Sequence, residues 1–311
     1  MAILFIFNFQ IKQMASQERL TRAFIEAQRI PFNDQSKFIL FSDCHRSDNS
    51  FADDFASNRN VYFHAMTQYY NDGFTYFELG DGDELWENIF FKTIFEAHKS
   101  VYLLLKKFHD SKRYYKIWGN HEMTFKDNEH ALKTLSTYTN TQNDKEEPLF
   151  TGIKCHEALV LVHEDTNQEL FLTHGHQADF MNYIGWKINR FMVRILWKPL
   201  QIWGISDPTS PAKNYMERIK IELRIKKWIE NNGRKITIVG HTHRPSFSYP
   251  SLNSTPYFND GSCVHPRSIT GIEIINGTIT LIKWFIDTKE NGILQVVKEV
   301  LEGPTNLKDY K

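Results

Sequence analysis

The chain of 311 residues has little cysteine, no net charge and no apolar run long enough to span a membrane. Three cysteines, Cys44, Cys155 and Cys263, without a CxxC spacing exclude a disulfide framework and are typical of a reducing cytosol. Because 37 basic side chains balance 37 acidic ones, a protein that coats long nucleic acid through bulk positive charge is not expected. The 13 histidines are absent from this charge balance, and histidine is the commonest metal ligand.

The apolar pattern of the first residues differs from that of a signal peptide. The apolar run at 2–9 lacks both a basic segment before it and a small-residue cleavage site after it, so it does not predict a signal peptide. We therefore expect a cytoplasmic protein. Met14 offers a second start and a helical pattern follows it, so residues 1–13 are interpreted as an upstream extension or an added edge strand. Residues 14–311 are expected to form a single domain.

Strands and helices alternate over the first two thirds of the chain, and hairpins follow after residue 150. Short apolar runs predict strands at 38–42, 74–79 and 114–118, separated by helical patterns near 57–71, 89–109 and 128–137. Hairpins are predicted for 158–173 and for 272–284, the second with an Asn276-Gly277 turn. This order predicts an α/β fold that leans toward α+β.

Five short motifs, each directly after an apolar run, carry side chains that bind hard or borderline metal ions. In chain order they are Asp43-Cys44-His45, Gly80-Asp81-Gly82-Asp83-Glu84, Gly119-Asn120-His121-Glu122, Thr173-His174-Gly175-His176 and Gly240-His241-Thr242-His243. Because α/β sheets bind ligands outside the carboxyl ends of their strands, one pocket could gather all five motifs. A set of carboxylates, imidazoles and an amide oxygen suits Mn, Fe or Zn.

This ordered set resembles the motifs of the calcineurin-like metallophosphoesterase superfamily, which are DxH, GDxxD, GNH with Glu or Asp, a lone His, and GHxH. The resemblance covers about residues 38–265. It implies a four-layer α-β-β-α sandwich of two packed mixed sheets flanked by helices. It also implies a hydrolase with two divalent metal ions, Mn first and Fe, Zn or Mg as alternatives. Glu84 stands where the family has Asp, at a supporting position that does not bind metal.

The resemblance also implies which residues hold each ion. One ion would be held by Asp43, His45 and His243, the other by Asn120, His174 and His241, and Asp81 would bridge both. His176 is the alternative to His174 as the lone His ligand. His121 is interpreted as the general acid or transition-state stabiliser, with Asp81 and Asn120 completing the catalytic set.

Neighbouring residues give further predictions. Arg46 is a candidate phosphate contact, because a guanidinium fork suits phosphate, and a surface arginine is the alternative. His265 is a candidate for the mouth of the substrate site. Glu122 or Glu84 would orient an imidazole, and a helix N-terminal acid is the alternative for Glu122. The side chain of Cys44 alternates away from the metal ligands and is expected to be buried filler.

Residues 181–230 interrupt the strand–helix pattern and predict a helical insertion that forms a lid over the metal pocket. This segment holds 10 basic and 4 acidic side chains, so a basic insertion is joined to an acidic body. Lys187, Arg190, Arg194 and Lys198 recur at helical spacing among apolar residues. Such a pattern is typical of peripheral membrane contact, here through 181–203, or of a helix packed on the core whose basic side chains reach solvent.

Three features resemble the branch of the superfamily that cleaves UDP-2,3-diacylglucosamine, in which helical insertions hold acyl chains. They are the His174-Gly175 step, the insertion and the Asn259-Asp260-Gly261-Ser262 turn. The Gly-Asn-His-Glu motif is instead that of general phosphoesterases. We expect hydrolysis of a phosphoester or pyrophosphate bond in a phosphate-bearing small molecule or lipid, and no long nucleic acid as partner. A nucleotide phosphodiesterase and a non-catalytic metal-binding interaction scaffold are the alternatives, and the sequence does not predict an oligomeric state.

Overall fold

The computed structural model describes the backbone of residues 2–197 and 214–310, and the side chains of residues 13–195 and 214–310. Within these ranges the α-helices are α1 Ala2–Glu26, α2 Arg59–Asn71, α3 Phe91–Ala97, α4 Lys99–Asp110, α5 Asn128–Leu135, α6 Phe180–Ile184, α7 Trp186–Met192 and α8 Tyr215–Asn231. Short 3-10 helices span Asn120–Lys126, His176–Ala178 and Leu307–Asp309, and a π-helical turn spans Val193–Trp197.

Fourteen strands are described in these ranges. They are β1 Gln28–Phe32, β2 Lys37–Phe41, β3 Thr75–Leu79, β4 Tyr114–Ile117, β5 Thr137–Asn140, β6 Lys145–Pro148, β7 Cys155–His156, β8 Ala158–His163, β9 Glu169–Thr173, β10 Ile236–Val239, β11 Tyr257–Asn259, β12 Ser268–Ile275, β13 Thr278–Thr288 and β14 Leu294–Asn306. A seven-stranded sheet has the order β14-β13-β12-β2-β3-β4-β7, and a five-stranded sheet the order β1-β8-β9-β10-β11. Each sheet contains parallel and antiparallel pairs, which confirms the predicted α/β class with two mixed sheets.

Three groups of buried apolar side chains separate four layers of structure. Because neighbouring residues of a strand face opposite sides, Leu40 points between the sheets while Ile39 points toward α2 and α4. On the five-stranded sheet, Leu161 faces the other sheet while Val160 packs against α1 and α8. The layers are therefore helix, sheet, sheet and helix, as the resemblance implied.

Two local predictions have different outcomes. Asn276 and Gly277 join β12 to β13 with φ of 52° and 69°, the positive values that a two-residue hairpin turn requires. The single helix predicted over 89–109 is instead two helices, α3 and α4, which meet at His98. The backbone of His98 leaves the helical region, with φ of −122° and ψ of 29°, and its buried ring lies with Nε2 2.7 Å from the carboxylate of Asp53.

The N-terminal segment is helical. Residues 2–26 form the single helix α1, so the alternative that residues 1–13 add an edge strand is wrong. Leu20 and Ala23 of this helix are buried against α8 and the five-stranded sheet. In the described ranges, no helix combines the length and the apolar character that crossing a bilayer requires.

The predicted insertion, residues 181–230, follows β9, and its described part comprises α6, α7, the π-helical turn and α8. Gly185 ends α6, so the apolar and basic residues of 181–197 do not share one continuous helix. Residues 198–213, which include Lys198 of the predicted basic stripe, lie outside the described residues.

Candidate metal centre

All five sequence motifs meet at one edge of the two packed sheets. Asp43, Asp81 and Asn120 follow β2, β3 and β4, which are neighbouring parallel strands. His174 and His241 follow β9 and β10, which are neighbouring parallel strands of the other sheet. Because parallel strands end at the same edge, each sheet brings its motifs together there, and the packing of the sheets joins the two halves.

The predicted ligands form overlapping groups in which the ligand atoms lie within 4.8 Å of one another. The groups are Asp43 with His45 and His243, His45 with Asp81 and His121, and Asp81 with His174 and His241. The first group holds the three ligands predicted for one ion, and the third holds Asp81 with two of the three ligands predicted for the other ion. The second group shares His45 with the first and Asp81 with the third. Asn120, the remaining predicted ligand, lines a cavity together with His45, Asp81, His241 and His243.

Five of these residues hold a strained backbone. Asp43, His45, Asp81, His241 and His243 have φ between 48° and 66°, in the left-handed region that residues other than glycine rarely adopt. Each such residue costs roughly 1 kcal/mol or more, and the conformation persists only where the surrounding structure fixes it. Strain repeated at five ligands of one pocket indicates a functional site rather than a set of chance turns.

Several buried ligand atoms lack a hydrogen-bond partner among the described residues, as expected of atoms that bind a cation. Asp43 Oδ1, Asn120 Oδ1 and His174 Nε2 find no hydrogen-bond partner among the described residues. Nδ1 of His174 donates to the carbonyl of Leu79 at 2.8 Å, so the lone pair of Nε2 faces Asp81 Oδ2 at 3.1 Å. A lone pair that faces a carboxylate in a buried site needs a proton or a metal ion between them. The donor set therefore fits a divalent metal ion.

The other group has the same character. Nδ1 of His45 lies 2.8 Å from Glu84, and Nε2 of His45 lies 3.3 Å from Nε2 of His243. Nε2 of His243 is also 3.0 Å from Asp43 Oδ1. Burial would raise the pKa of Asp43, but His243 and His174 lower it well below its ordinary value, so the carboxylate is ionised. An ionised carboxylate between imidazoles is the arrangement that a bound cation stabilises.

His174, rather than His176, is the histidine that the structure places among the ligands. The side chain of His176 is buried, and neither of its ring nitrogens has a hydrogen-bond partner in the described part of the chain. Its ring stacks on that of Tyr183, with centroids 5.7 Å apart. Burial lowers the pKa of His176 well below its ordinary value, so the ring is neutral.

His121 lies in the same cavity and is held from two sides. Its Nδ1 lies 2.7 Å from the carboxylate of Glu84, and its ring stacks on Trp86 with centroids 4.1 Å apart and an angle of 20° between the planes. Burial would raise the pKa of Glu84, but His121 and His45 lower it to about 2. The prediction that Glu84 orients an imidazole is therefore confirmed, with two imidazoles instead of one.

Glu122 contacts no imidazole among the described residues. Its carboxylate accepts hydrogen bonds from Nζ of Lys116 at 2.6 Å and from the backbone N–H of Asp83 at 2.9 Å. It also accepts from the N–H of Gly119, where the 3-10 helix begins. Of the two interpretations of Glu122, the helix N-terminal acid is the correct one.

The prediction that Arg46 contacts a substrate phosphate is wrong. The side chain is fully buried, and its Nη2 lies 2.7 Å from Glu78 and 2.9 Å from Asp83. The guanidinium of Arg46 therefore lies in the interior, where its charge is balanced by these two carboxylates. The surface alternative is excluded by the same burial. Cys44 is buried in the apolar core, as expected.

Four of the five ligand motifs, all but that of His174, line one cavity of about 1100 Å³ together with the predicted insertion. The insertion, including the start of α8, contributes Met181, Asn182, Asn189, Met192, Val193, Asn214, Glu217 and Arg218. His265, which is a predicted substrate contact, also lines this cavity. Two arginines that the sequence reasoning missed, Arg218 and Arg244, also line it. The residue after the GHxH motif could have drawn attention to Arg244, whereas no sequence signal distinguishes Arg218.

Asp179 is a further residue that the sequence reasoning missed. Its Oδ2 lies 3.2 Å from Nε2 of His241, and it lines the cavity. The available signal was its place directly before a helix, where Asp is a preferred N-cap. Nothing in that signal connects Asp179 to His241, since the two residues belong to segments far apart in sequence.

Comparisons with known proteins add little to this geometry. No family model matches the chain, and no curated protein matches it. The crystal structure of Chaetomium thermophilum Vps29 aligns with 86% of this chain and 97% of its own, at 9% sequence identity and a TM-score of 0.39. A similarity at this level is too low to argue from, so the function below is derived from the site itself.

Proposed function

We propose that the protein is a metal-dependent phosphoesterase that hydrolyses a phosphoester or pyrophosphate bond. The observation that carries this proposal is the convergence of the predicted ligands: six of the seven form overlapping groups of close ligand atoms, and Asn120 lines the cavity beside them. Two divalent ions held there, with Mn the first candidate, would activate water and neutralise charge on the phosphoryl oxygens. Asp43, His45 and His243 would hold one ion, and Asn120, His174 and His241 the other, with Asp81 shared between them.

His121 is the proposed proton donor to the leaving group. Its Nδ1 is held by Glu84, so Nε2 is the ring nitrogen left for proton transfer. The stack on Trp86 fixes the plane of the ring. Arg218, Arg244 and His265 line the cavity and are proposed contacts of an anionic substrate.

The test combines metal content with hydrolysis. Protein loaded with Mn, Mg, Zn or Fe would be offered p-nitrophenyl phosphate, bis-p-nitrophenyl phosphate, cyclic nucleotides and a pyrophosphate-linked nucleotide. We expect two bound ions per chain and cleavage of at least one ester. The Asn120→Ala and His174→Ala variants should lose one ion and most of the activity. His64→Ala, whose ring bonds Gln68 on α2, is the matched control and should retain both.

The outcomes separate the alternatives. Release of nucleoside monophosphate from cyclic nucleotides, with little cleavage of other esters, would favour the nucleotide phosphodiesterase. Two bound ions without cleavage of any ester would favour the metal-binding interaction scaffold. Full activity of Asn120→Ala after metal removal would contradict the two-metal mechanism.

An amphiphilic substrate is the finer proposal, and the insertion supports it. Ile188, Phe191 and Ile195 are exposed on the segment whose neighbours line the metal cavity. A second cavity of about 510 Å³ lies beside the metal cavity. Its walls are largely apolar, and Arg190 and Arg194 are among its lining residues. Apolar walls next to guanidinium groups suit an acyl chain that carries a phosphate.

Two assays test this finer proposal. The enzyme would be offered the UDP-linked diacylglucosamine and a water-soluble UDP-sugar, and preference for the lipid by roughly tenfold or more in kcat/KM would support an amphiphile. Co-sedimentation with anionic phosphatidylglycerol vesicles would test peripheral membrane contact. Ile188→Ser with Phe191→Ser should weaken both, while Leu252→Ser, also exposed but outside the insertion, should weaken neither.

A further inference from the structure

Asp179 connects the insertion to a metal ligand through its two carboxylate oxygens. Oδ2 lies 3.2 Å from Nε2 of His241, and both side chains are buried. Oδ1 accepts hydrogen bonds from the backbone N–H groups of Met181 and Asn182, at 3.0 Å and 3.2 Å, and so caps α6. The side-chain amide of Asn182 donates to Oδ2 at 2.8 Å. One carboxylate therefore serves both the insertion and the ligand.

The contact assigns the protons of His241. An ionised carboxylate accepts hydrogen bonds and donates none, so Nε2 of His241 carries the proton that faces Asp179. The lone pair then lies on Nδ1, which becomes the ring atom left for a metal ion. Metal-binding histidines normally donate their other N–H to a carboxylate or carbonyl, and this partner fixes the ring and raises its basicity.

Two buried arginines form hydrogen bonds with the backbone directly before Asp179. Nε of Arg19 donates to the carbonyl of Gln177 at 2.7 Å, and Nη1 of Arg224 donates to the carbonyl of Ala178 at 2.9 Å. These bonds join residues 177–178 to α1 and α8, so they fix the backbone directly before the carboxylate of Asp179. Serine or asparagine could also cap α6, but only a carboxylate supplies an acceptor for both the cap and the imidazole.

We propose that Asp179 is a positioning residue for His241 and links metal binding at the Asp81, His174 and His241 group to the order of α6. The inference rests on the proposed function only in requiring that this group holds a metal ion. It extends that function, because the insertion would contact the substrate and the arrangement of the insertion would depend on the bound metal.

Calorimetric titration of metal-free protein with Mn²⁺ tests the inference without an activity assay. Asp179→Ser and Asp179→Asn retain a capping group and lose the carboxylate. We expect both to weaken one of the two ions by about 10–100-fold and to leave the other unchanged. Asp127→Ser is the matched control, because Asp127 caps α5 in the same way and has no hydrogen bond to a predicted ligand in the described part of the chain.

A second readout follows the insertion. Trypsin cleavage after Lys187 and Arg190 should slow when Mn²⁺ is added to the wild type and to Asp127→Ser, but not to the Asp179 variants. Equal Mn²⁺ affinities in the wild type and both Asp179 variants would overturn the inference and leave the proposed function intact. A wild type that binds no Mn²⁺ would overturn both. Should Asp179→Ser fail to fold, the isosteric Asp179→Asn carries the test.

Discussion

The carboxylate of Glu84 lies 2.7 Å from Nδ1 of His121, and the same carboxylate lies 2.8 Å from Nδ1 of His45. One side chain thus orients a predicted metal ligand and the predicted proton donor. Because both imidazoles donate Nδ1–H to this carboxylate, both present Nε2 to the cavity. The geometry of the metal position and that of the acid are therefore not independent of each other.

Glu84→Gln should impair both functions at once. The amide can accept from one imidazole, but its NH₂ group then opposes the N–H of the other, so one ring is released. We expect kcat to fall by about 10–100-fold and metal affinity to fall as well. Glu84→Asp, which retains the charge on a shorter side chain, should recover part of both. Steady-state kinetics with elemental analysis measures the effect, and wild-type values in Glu84→Gln would contradict the role of the carboxylate.

Trp86→Leu should lower kcat without removing metal. The indole stacks on His121, and Arg194 of the insertion donates to the backbone carbonyls of Leu85 and Trp86 at 3.1 Å each. Loss of the stack releases the plane of the imidazole, for which we expect a decrease of roughly tenfold in kcat. Phe63→Leu, at an exposed aromatic residue of α2 that lines neither cavity, is the control and should behave as the wild type. A loss of bound metal in Trp86→Leu would show that the effect is not confined to His121.

Those parts of the site that follow from strand periodicity could be predicted from the sequence. Each of Asp43, Asp81 and Asn120 stands directly after an apolar run, and parallel strands end at one edge of a sheet. The glycines in these motifs have a packing reason as well. Gly80 has φ of 90°, and a side chain there would approach the ring of His174 to 2.7 Å. Local pattern and tertiary packing agree at these positions, so the pattern was sufficient.

The remaining parts depend on contacts between distant segments. Arg46 and Glu122 are charged residues, and their neighbours in the sequence do not distinguish an exposed position from a buried ion pair. Only the three-dimensional structure shows that their partners, such as Lys116 and Asp83, lie in the same interior. Asp179 reaches His241 because β9 and β10 are neighbouring parallel strands, so the segments that follow them meet, and no local pattern encodes this contact.

Arg46 and Arg244 should respond to substitution in opposite ways. Arg46→Gln leaves Lys116 as the one described cation for the buried carboxylates of Glu78 and Asp83, so we expect the free energy of unfolding to fall by about 3–5 kcal/mol. The KM of the remaining folded enzyme should change little. Arg244→Gln removes an exposed cation that lines the cavity, so KM should rise while stability stays within about 0.5 kcal/mol of the wild type. Urea unfolding and steady-state kinetics measure both, and a reversal of the pattern would restore Arg46 as the substrate contact.

Glu122 belongs to a buried network with more acids than bases. Arg46 and Lys116 face Glu78, Asp83 and Glu122, so the five groups are neutral only when one acid holds a proton. Burial raises the pKa of Glu122 to about 8, with Asp83 and Glu78 adding to the rise and Lys116 opposing it. The proton therefore resides on Glu122 at neutral pH.

This proton makes stability depend on pH. The folded-state pKa lies above the unfolded value of about 4.3, so the contribution is fully present below about pH 4.3 and is lost as pH rises toward 8. Between about pH 6 and about pH 8 the free energy of unfolding should fall by up to about 1.4 kcal/mol per pH unit relative to Glu122→Gln, which is neutral at every pH. Urea unfolding in the presence of a chelator, which removes the linkage to metal binding, measures the difference between the two proteins. Because other titrating groups cancel in that difference, parallel pH profiles would mean that Glu122 is ionised in the folded protein.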